Sequence, residues 1–396
     1  MPGLALPAVF LYWPSQCTRS RKDWTKSVPS HPPGPQFDPA FTAGYSPEQV
    51  QRGLTRYAQG VKVVIDSLEA PVGQTPKEAV WTLNKTTLYR YVPTKPEEER
   101  HPVPLLLVYA LINKPFIFDL APDRSYIEYM LDQGFDVFLL DWGSPGPEDR
   151  HTTFDDYITE YLHRAVRKML RVSGAKEITL LGYCLGATLV TVYAAHYTDA
   201  PIRNLILLTA PIDFSTSPDG SMAMWLEEER LNVDNLVGAF DNVPGELIRL
   251  WAKMLKPAEN FVGAYVSVWK ALDDRAAVEN WQAINRWVED VIPFAGAAFR
   301  QFVEEYVRGN ELIQGQHEVE GQRVDLANID AALLNIVAKY DHLVAQSQSE
   351  SLMELVSSED KELRVIPSTH VGIMASGRAR YKLWPELVEW LAPRSG

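Results

Sequence analysis

Gly182-Tyr183-Cys184-Leu185-Gly186 is the stretch on which the reading of this chain turns. It stands between an apolar run at 178–181 and a helix-like run at 187–197. Strand, sharp glycine-flanked turn and helix make a nucleophile elbow, which lifts one side chain above the edge of a sheet, beside the free N–H groups of a helix start. The side chain lifted here is a thiol.

Upstream, 46–68 has a helical pattern, with Tyr57, Val61 and Val64 spaced to share a face. The segments 79–83 and 87–92 alternate like paired strands around an Asn84-Lys85 turn. Continuous apolar runs at 105–110 and 137–140 suit parallel strands covered on both faces, and the helical pattern of 125–133 between them stops before Gly134. Thr153 and Asp156 form a Thr-x-x-Asp variant of the capping box before a helix that Gly174 ends. Strand 177–181, the elbow, a helix to Tyr197 and strand 204–208 follow.

Downstream the alternation stops after Phe214, and up to about residue 322 only helical patterns and proline breaks occur. Strand-like 333–338, helical 347–356, strand-like 363–366 and helical 383–391 then resume it. The expected architecture is α/β: a mostly parallel sheet flanked by helices, with core parts at 46–214 and 323–396 and an inserted helical cap at 215–322. Residues 1–45, with Pro14, Pro29, Pro32, Pro33, Pro35 and Pro39 among polar residues, read as a disordered tail.

The 396 residues carry a net charge of −13 with no long basic block, which argues against nucleic acid as a partner. Two cysteines far apart, Cys17 and Cys184, exclude a disulfide framework or a cysteine zinc site and suggest a reducing, cytoplasmic setting. No apolar stretch approaches the roughly 20 residues of a bilayer span, and the run at 4–13 lacks the basic segment and cleavage pattern of a secretion signal.

A nucleophilic thiol needs a histidine and an orienting carboxylate. Asp341 follows the strand-like 333–338, and His370 follows the last strand, so both belong at the C-terminal edge of the sheet, where ligands collect in open α/β folds. The order nucleophile, acid, histidine is that of α/β-hydrolases. His342 is a rival base and Asp213 a rival acid; His163 and His196 sit within helices, His31 is in the tail, and His101, His151 and His317 lie in polar segments. Oxyanion donors are expected from the N–H of Leu185 and from the loop 112–114, with Asn113 as the candidate. Trp225, Trp251, Trp269, Trp281 and Trp287 crowd the cap segment, which suits either an apolar lid or the cap's own core.

With these residues in view, the chain resembles polyhydroxyalkanoate synthases from about residue 80 to 393. The resemblance is carried by Asn113-Lys114-Pro115-Phe116-Ile117-Phe118-Asp119-Leu120, Asp141-Trp142-Gly143, the Cys184 box, Thr209-Ala210-Pro211-Ile212-Asp213-Phe214, Asp341-His342-Leu343-Val344 and His370-Val371-Gly372. It implies that Cys184 carries an acyl chain taken from a 3-hydroxyacyl-coenzyme A. It further implies that His370 is the general base and that Asp341 supports it or helps activate the 3-hydroxyl. The short stretch before the core resembles the class III and class IV kinds, implying a second, non-catalytic subunit and a site at the polyester granule surface, with a homodimer left open. No metal or bound cofactor is implied, coenzyme A being the leaving group. Ala187 and Ser368-Thr369 stand where the family usually has glycines. Two other functions use the same residues: a thioesterase or esterase with the same triad, and a non-catalytic granule-binding or interaction protein.

A thiol suits polymerisation because transfer from coenzyme A exchanges one thioester for another and leaves the acyl group activated. Attack by a hydroxyl is then downhill, provided water is kept out.

Overall fold

The computed structural model describes residues 46–215 and 222–396. The expected tail at 1–45, with Cys17, lies outside the described residues. The helix Pro47–Asp66 starts in a unit that ends at Thr55 and runs on into the unit 56–396, which holds everything described below.

Eight strands form one sheet: β1 (Lys77–Leu83), β2 (Thr86–Tyr91), β3 (Leu105–Val108), β4 (Val137–Asp141), β5 (Ile178–Tyr183), β6 (Ile202–Leu208), β9 (Ala332–Ala338) and β10 (Lys361–Ile366). A separate two-stranded hairpin, β7 (Glu318–Val319) and β8 (Gln322–Arg323), precedes β9. The sheet order is β1-β2-β4-β3-β5-β6-β9-β10. β1 and β2 pair antiparallel through the Asn84-Lys85 turn, with Leu83 opposite Thr86 and Asn84 at φ 52°, and β2 meets β4 antiparallel. Every other pairing in this sheet is parallel. The chain leaves β3 to one side for β4 and returns on the other for β5, so the crevice above β3 and β5 is a topological switch point, the usual ligand site of such sheets.

Parallel strands covered on both faces must be apolar throughout, and β3 and β5 are buried at every residue. The helix Leu185–His196 follows the same logic: residues 185 to 195 are all buried, so its apolar residues surround it instead of forming a stripe. Each buried Leu or Val there contributes about 1.5–3 kcal/mol of apolar burial. Caps fall where the sequence places them. Ser125 Oγ accepts the Glu128 N–H at 3.0 Å, Thr153 and Asp156 exchange bonds of 3.0 and 2.7 Å, and Gly174 ends its helix at φ 71°.

Helices between Met222 and Gln314 separate β6 from β9. They dock on the core by backbone: Ile292 N–H donates to Ile112 at 3.1 Å, and the Trp287 indole donates to the Lys114 carbonyl at 2.8 Å. The helix expected over 46–68 is present as Pro47–Asp66, and its apolar stripe is only partly covered. Tyr57 and Val61 are exposed, as are Ile65 and Leu68, while Val64 is half-buried and Gly60 meets the Trp269 indole, which a Cβ would strike. Periodicity finds an apolar stripe but not what covers it: Trp269 lies on that same face, its ring 5.9 Å from that of Tyr57 and against the bare Cα of Gly60.

Candidate active site

Cys184 follows β5 and caps the helix Leu185–His196 at φ 56° and ψ −127°. A non-glycine residue in that region stores about 1–3 kcal/mol of backbone strain. The surroundings hold it there: Cys184 N–H donates to the Leu208 carbonyl at 3.0 Å, and its own carbonyl accepts the Ala187 N–H at 2.8 Å. Both flanking glycines are sterically required. A Cβ at Gly182 would strike Ala187 and Val190, and one at Gly186 would strike the Val108 carbonyl and Tyr109. Ala187, where the family usually has glycine, sits over the bare Cα of Gly182 and leaves the turn intact.

The turn brings the thiol to His370 in the cavity that both residues line. On the other side of the ring, His370 Nδ1 meets Asp341 Oδ2 at 2.7 Å, and the two side chains are 4% and 1% exposed. Asp341 Oδ1 accepts the N–H groups of Leu343 and Val344 at 2.8 and 3.0 Å, so both its oxygens are committed. Burial opposes charge on the pair, yet ring and carboxylate overcome it. His370 is lifted from 6.5 to about 10 by the charges of Asp341 and Cys184 and by hydrogen bonds to both. Asp341 is held below the ordinary carboxylate range by His370 and its two backbone donors, against the pull of burial.

Neither rival takes part in the His370–Asp341 pair. Asp213 accepts from Asn310 at 3.0 Å, from the Ser215 N–H at 2.8 Å and from the Ser351 hydroxyl at 2.7 Å, forming a structural knot at the exit of β6. His342 lines the cavity in front of Cys184, but its Nδ1 is buried without a hydrogen-bond partner, and burial lowers its pKa. Leu185 opens its helix, so its N–H has no intrahelical acceptor. Asn113 lines the same cavity, and its backbone forms a bridge with Val291 of the cap segment.

Tyr183 was not among the sequence candidates. Its hydroxyl donates to the His370 carbonyl at 3.0 Å while its ring stacks on the imidazole with centroids 5.2 Å apart. Burial and the nearby charges of Cys184 and Asp341 hold the phenol far above its ordinary pKa, so it remains a donor. The signal was its position inside the elbow itself, where a polar tip on a buried ring needs a partner.

Two cavities meet at the thiol. The larger, about 320 Å³, is bounded by Trp281 and Trp287 and has Arg249, Lys253 and Glu289 among its lining residues; Glu289 binds both cations, at 2.7 and 2.5 Å. The smaller, about 110 Å³, is apolar, with Leu226, Trp251, Phe294, Phe299 and Phe302 in its wall. Three of the five cap tryptophans thus face the cavities, while Trp225 is partly exposed and Trp269 packs on Gly60.

The fold and the elbow define the class: a model of the alpha/beta hydrolase fold matches residues 103–375. A second model, the N-terminus of poly-beta-hydroxybutyrate polymerase (PhaC), matches residues 67–130. The chain is 36% identical over 358 residues to the poly(3-hydroxyalkanoate) polymerase subunit PhaC of Allochromatium vinosum, covering 89% of this chain and 100% of that one. The PhaC subunit of Synechocystis is 36% identical over 82% of this chain and 86% of its own length, and that of Haloferax mediterranei 39% identical over 83% and 66%. Among solved structures, epoxide hydrolase A of Mycobacterium thermoresistibile is 13% identical with a TM-score of 0.49, over 81% of this chain and 98% of that one. The chain belongs to the poly(3-hydroxyalkanoate) polymerase subunit PhaC family, enzymes of the acyltransferase type. Among the described residues no helix is long and apolar enough to cross a membrane.

Proposed function

We propose that this chain polymerises 3-hydroxyacyl-coenzyme A, with short-chain units such as 3-hydroxybutyryl as its substrate, through an acyl thioester on Cys184. The observation that carries the reading is the line of Cys184, His370 and Asp341 at the floor of a cavity walled by cap tryptophans.

His370 takes the thiol proton, and the Cys184 sulfur attacks the thioester carbonyl. The oxyanion is met by the Leu185 N–H and a second donor from the loop after β3, for which Asn113 is the candidate. Collapse of the tetrahedral intermediate breaks the bond to coenzyme A, whose sulfur takes the proton from His370 and leaves as the free thiol. In the second half, the 3-hydroxyl of another unit gives its proton to His370 and attacks the acyl group; the ester forms and Cys184 recovers its proton. Asp341 fixes the ring through Nδ1, its oxygens being spent on His370 and the backbone. The ring thus presents its other nitrogen to sulfur and substrate.

The small apolar cavity beside Cys184 suits a short acyl side chain, and the larger one a pantetheine arm. The tryptophan walls favour hydroxyl attack over water. No metal or bound cofactor enters these steps. The relatives are named as subunits, which supports a second, non-catalytic synthase subunit as partner, with the enzyme working at the surface of a cytoplasmic polyester granule.

The test is to supply 3-hydroxybutyryl-coenzyme A to wild type and to Cys184→Ala, with and without a co-expressed candidate subunit. Polymer with coenzyme A release from the wild type, and neither from the variant, is the expected result. Free 3-hydroxy acid as the sole wild-type product would make this a thioesterase, and activity retained by the variant would remove Cys184 from the mechanism.

A further inference from the structure

His317 lies in a polar run, Gln314-Gly315-Gln316-His317-Glu318, that suggests an exposed turn, yet its side chain is fully buried. Its Nε2 meets the Tyr306 hydroxyl at 2.7 Å, and its Nδ1 has no hydrogen-bond partner. That nitrogen faces Glu305, whose Oε2 lies 3.5 Å away. The Glu311 carboxylate closes the group, one donor atom from each of the three residues lying within 4.8 Å of the others. Among the described residues neither Glu305 nor Glu311 pairs with a lysine or arginine.

Two half-buried carboxylates gathered at a buried imidazole whose Nδ1 is unpartnered is a costly arrangement without a cation. We propose that Glu305, Glu311 and His317 bind a first-row divalent cation of the zinc type. A tetrahedral ion with bonds of about 2.1 Å holds its ligand atoms about 3.4 Å apart. The 3.5 Å between His317 Nδ1 and Glu305 Oε2 is already such an edge, and a rotation of the Glu311 side chain closes the third position. The outer partners are also in place. Tyr306 takes the second imidazole nitrogen, which leaves Nδ1 as the ligand, and Gln301 donates to Glu305 Oε2 at 2.9 Å.

The ligands come from the π-helical stretch Phe302–Arg308, the short helix Glu311–Gln314 and the residue before β7. The Gln301 carboxamide also accepts from the N–H of Phe154, at the start of a core helix. The ion thus ties the point where the cap segment returns to the core. Phe302, one turn before Glu305, belongs to the apolar cavity at Cys184, but the ion itself takes no part in the chemistry.

The test uses the untagged full-length chain, stripped with a chelator and titrated with zinc alone by calorimetry, with elemental analysis after dialysis. One equivalent of zinc is expected in the wild type and equally in Cys184→Ala, with affinity at least about tenfold weaker in Glu311→Gln and in His317→Gln. A zinc-dependent rise in Tm should disappear in the same two variants. Glu311 is half-exposed, so Glu311→Gln keeps the test valid should the buried His317 variant fail to fold. Less than stoichiometric zinc in the wild type, equal affinity in wild type and Glu311→Gln, or loss of the ion in Cys184→Ala would each overturn the assignment.

Discussion

Tyr183→Phe isolates one hydrogen bond at the heart of the site. The ring and its stack on His370 are kept, and only the hydroxyl that donates to the His370 carbonyl at 3.0 Å is removed. No other donor reaches that carbonyl among the described residues. Tyr183 and His370 are 2% and 3% exposed, so water does not replace the lost donor, and a buried unpaired acceptor costs about 1–3 kcal/mol. Global stability should fall by that amount, read as the midpoint of urea unfolding with an unchanged slope. The same bond anchors the backbone from which the imidazole projects, and 1.4 kcal/mol of lost positioning is about tenfold in rate. Rapid-quench acylation by 3-hydroxybutyryl-coenzyme A should therefore slow about tenfold, with substrate affinity nearly unchanged. Wild-type stability together with a wild-type acylation rate would show that Tyr183 does not position the base. Weakened affinity at a normal rate would make it a substrate contact instead.

Gly186→Ala should be damaging, because its Cβ would meet the backbone of Val108 and Tyr109. A loss of about 1–3 kcal/mol in urea unfolding is expected, whereas Gly238→Ala, with open space around it in the helix Val233–Phe240, should be neutral or gain up to about 1 kcal/mol; equal effects at the two positions would contradict the packing described. Asp341→Asn should reveal the charge on His370. The raised pKa contributes stability in full below 6.5 and loses it as pH climbs through about 10. Asp341, whose pKa is depressed from 3.8, loses its share only as the solution turns acid. The Tm gap between wild type and Asp341→Asn is thus expected to be widest near neutrality and to narrow toward pH 10; a gap that stays constant over this alkaline range would mean His370 is not held charged by Asp341.

How much of this was legible in the sequence follows from what each feature depends on. The elbow is local: two glycines that a Cβ would jam and a thiol between them specify the turn within five residues. Asp341 and His370 could be placed because parallel strands deliver their C-terminal ends to one edge, and the ends of β9 and β10 were readable from apolar runs. The contacts that select Asp341 over Asp213 were not readable, since they depend on Asn310 and Ser351 arriving from distant segments. The cap segment was recognisable as helical, but which tryptophans face Cys184 depends on how those helices dock through Ile292 and Trp287. The burial of His317 was not readable for the same reason. Its neighbours are polar and exposed, and only tertiary packing against Tyr306 buries it.

The most direct measurement is mass spectrometry of the enzyme quenched soon after mixing with 3-hydroxybutyryl-coenzyme A. The expected result is an acyl group on the peptide that contains Cys184, released by hydroxylamine as a thioester is, and absent from Cys184→Ala. Acyl groups on another residue, or polymer formed with no modification of Cys184 at any time, would contradict the account.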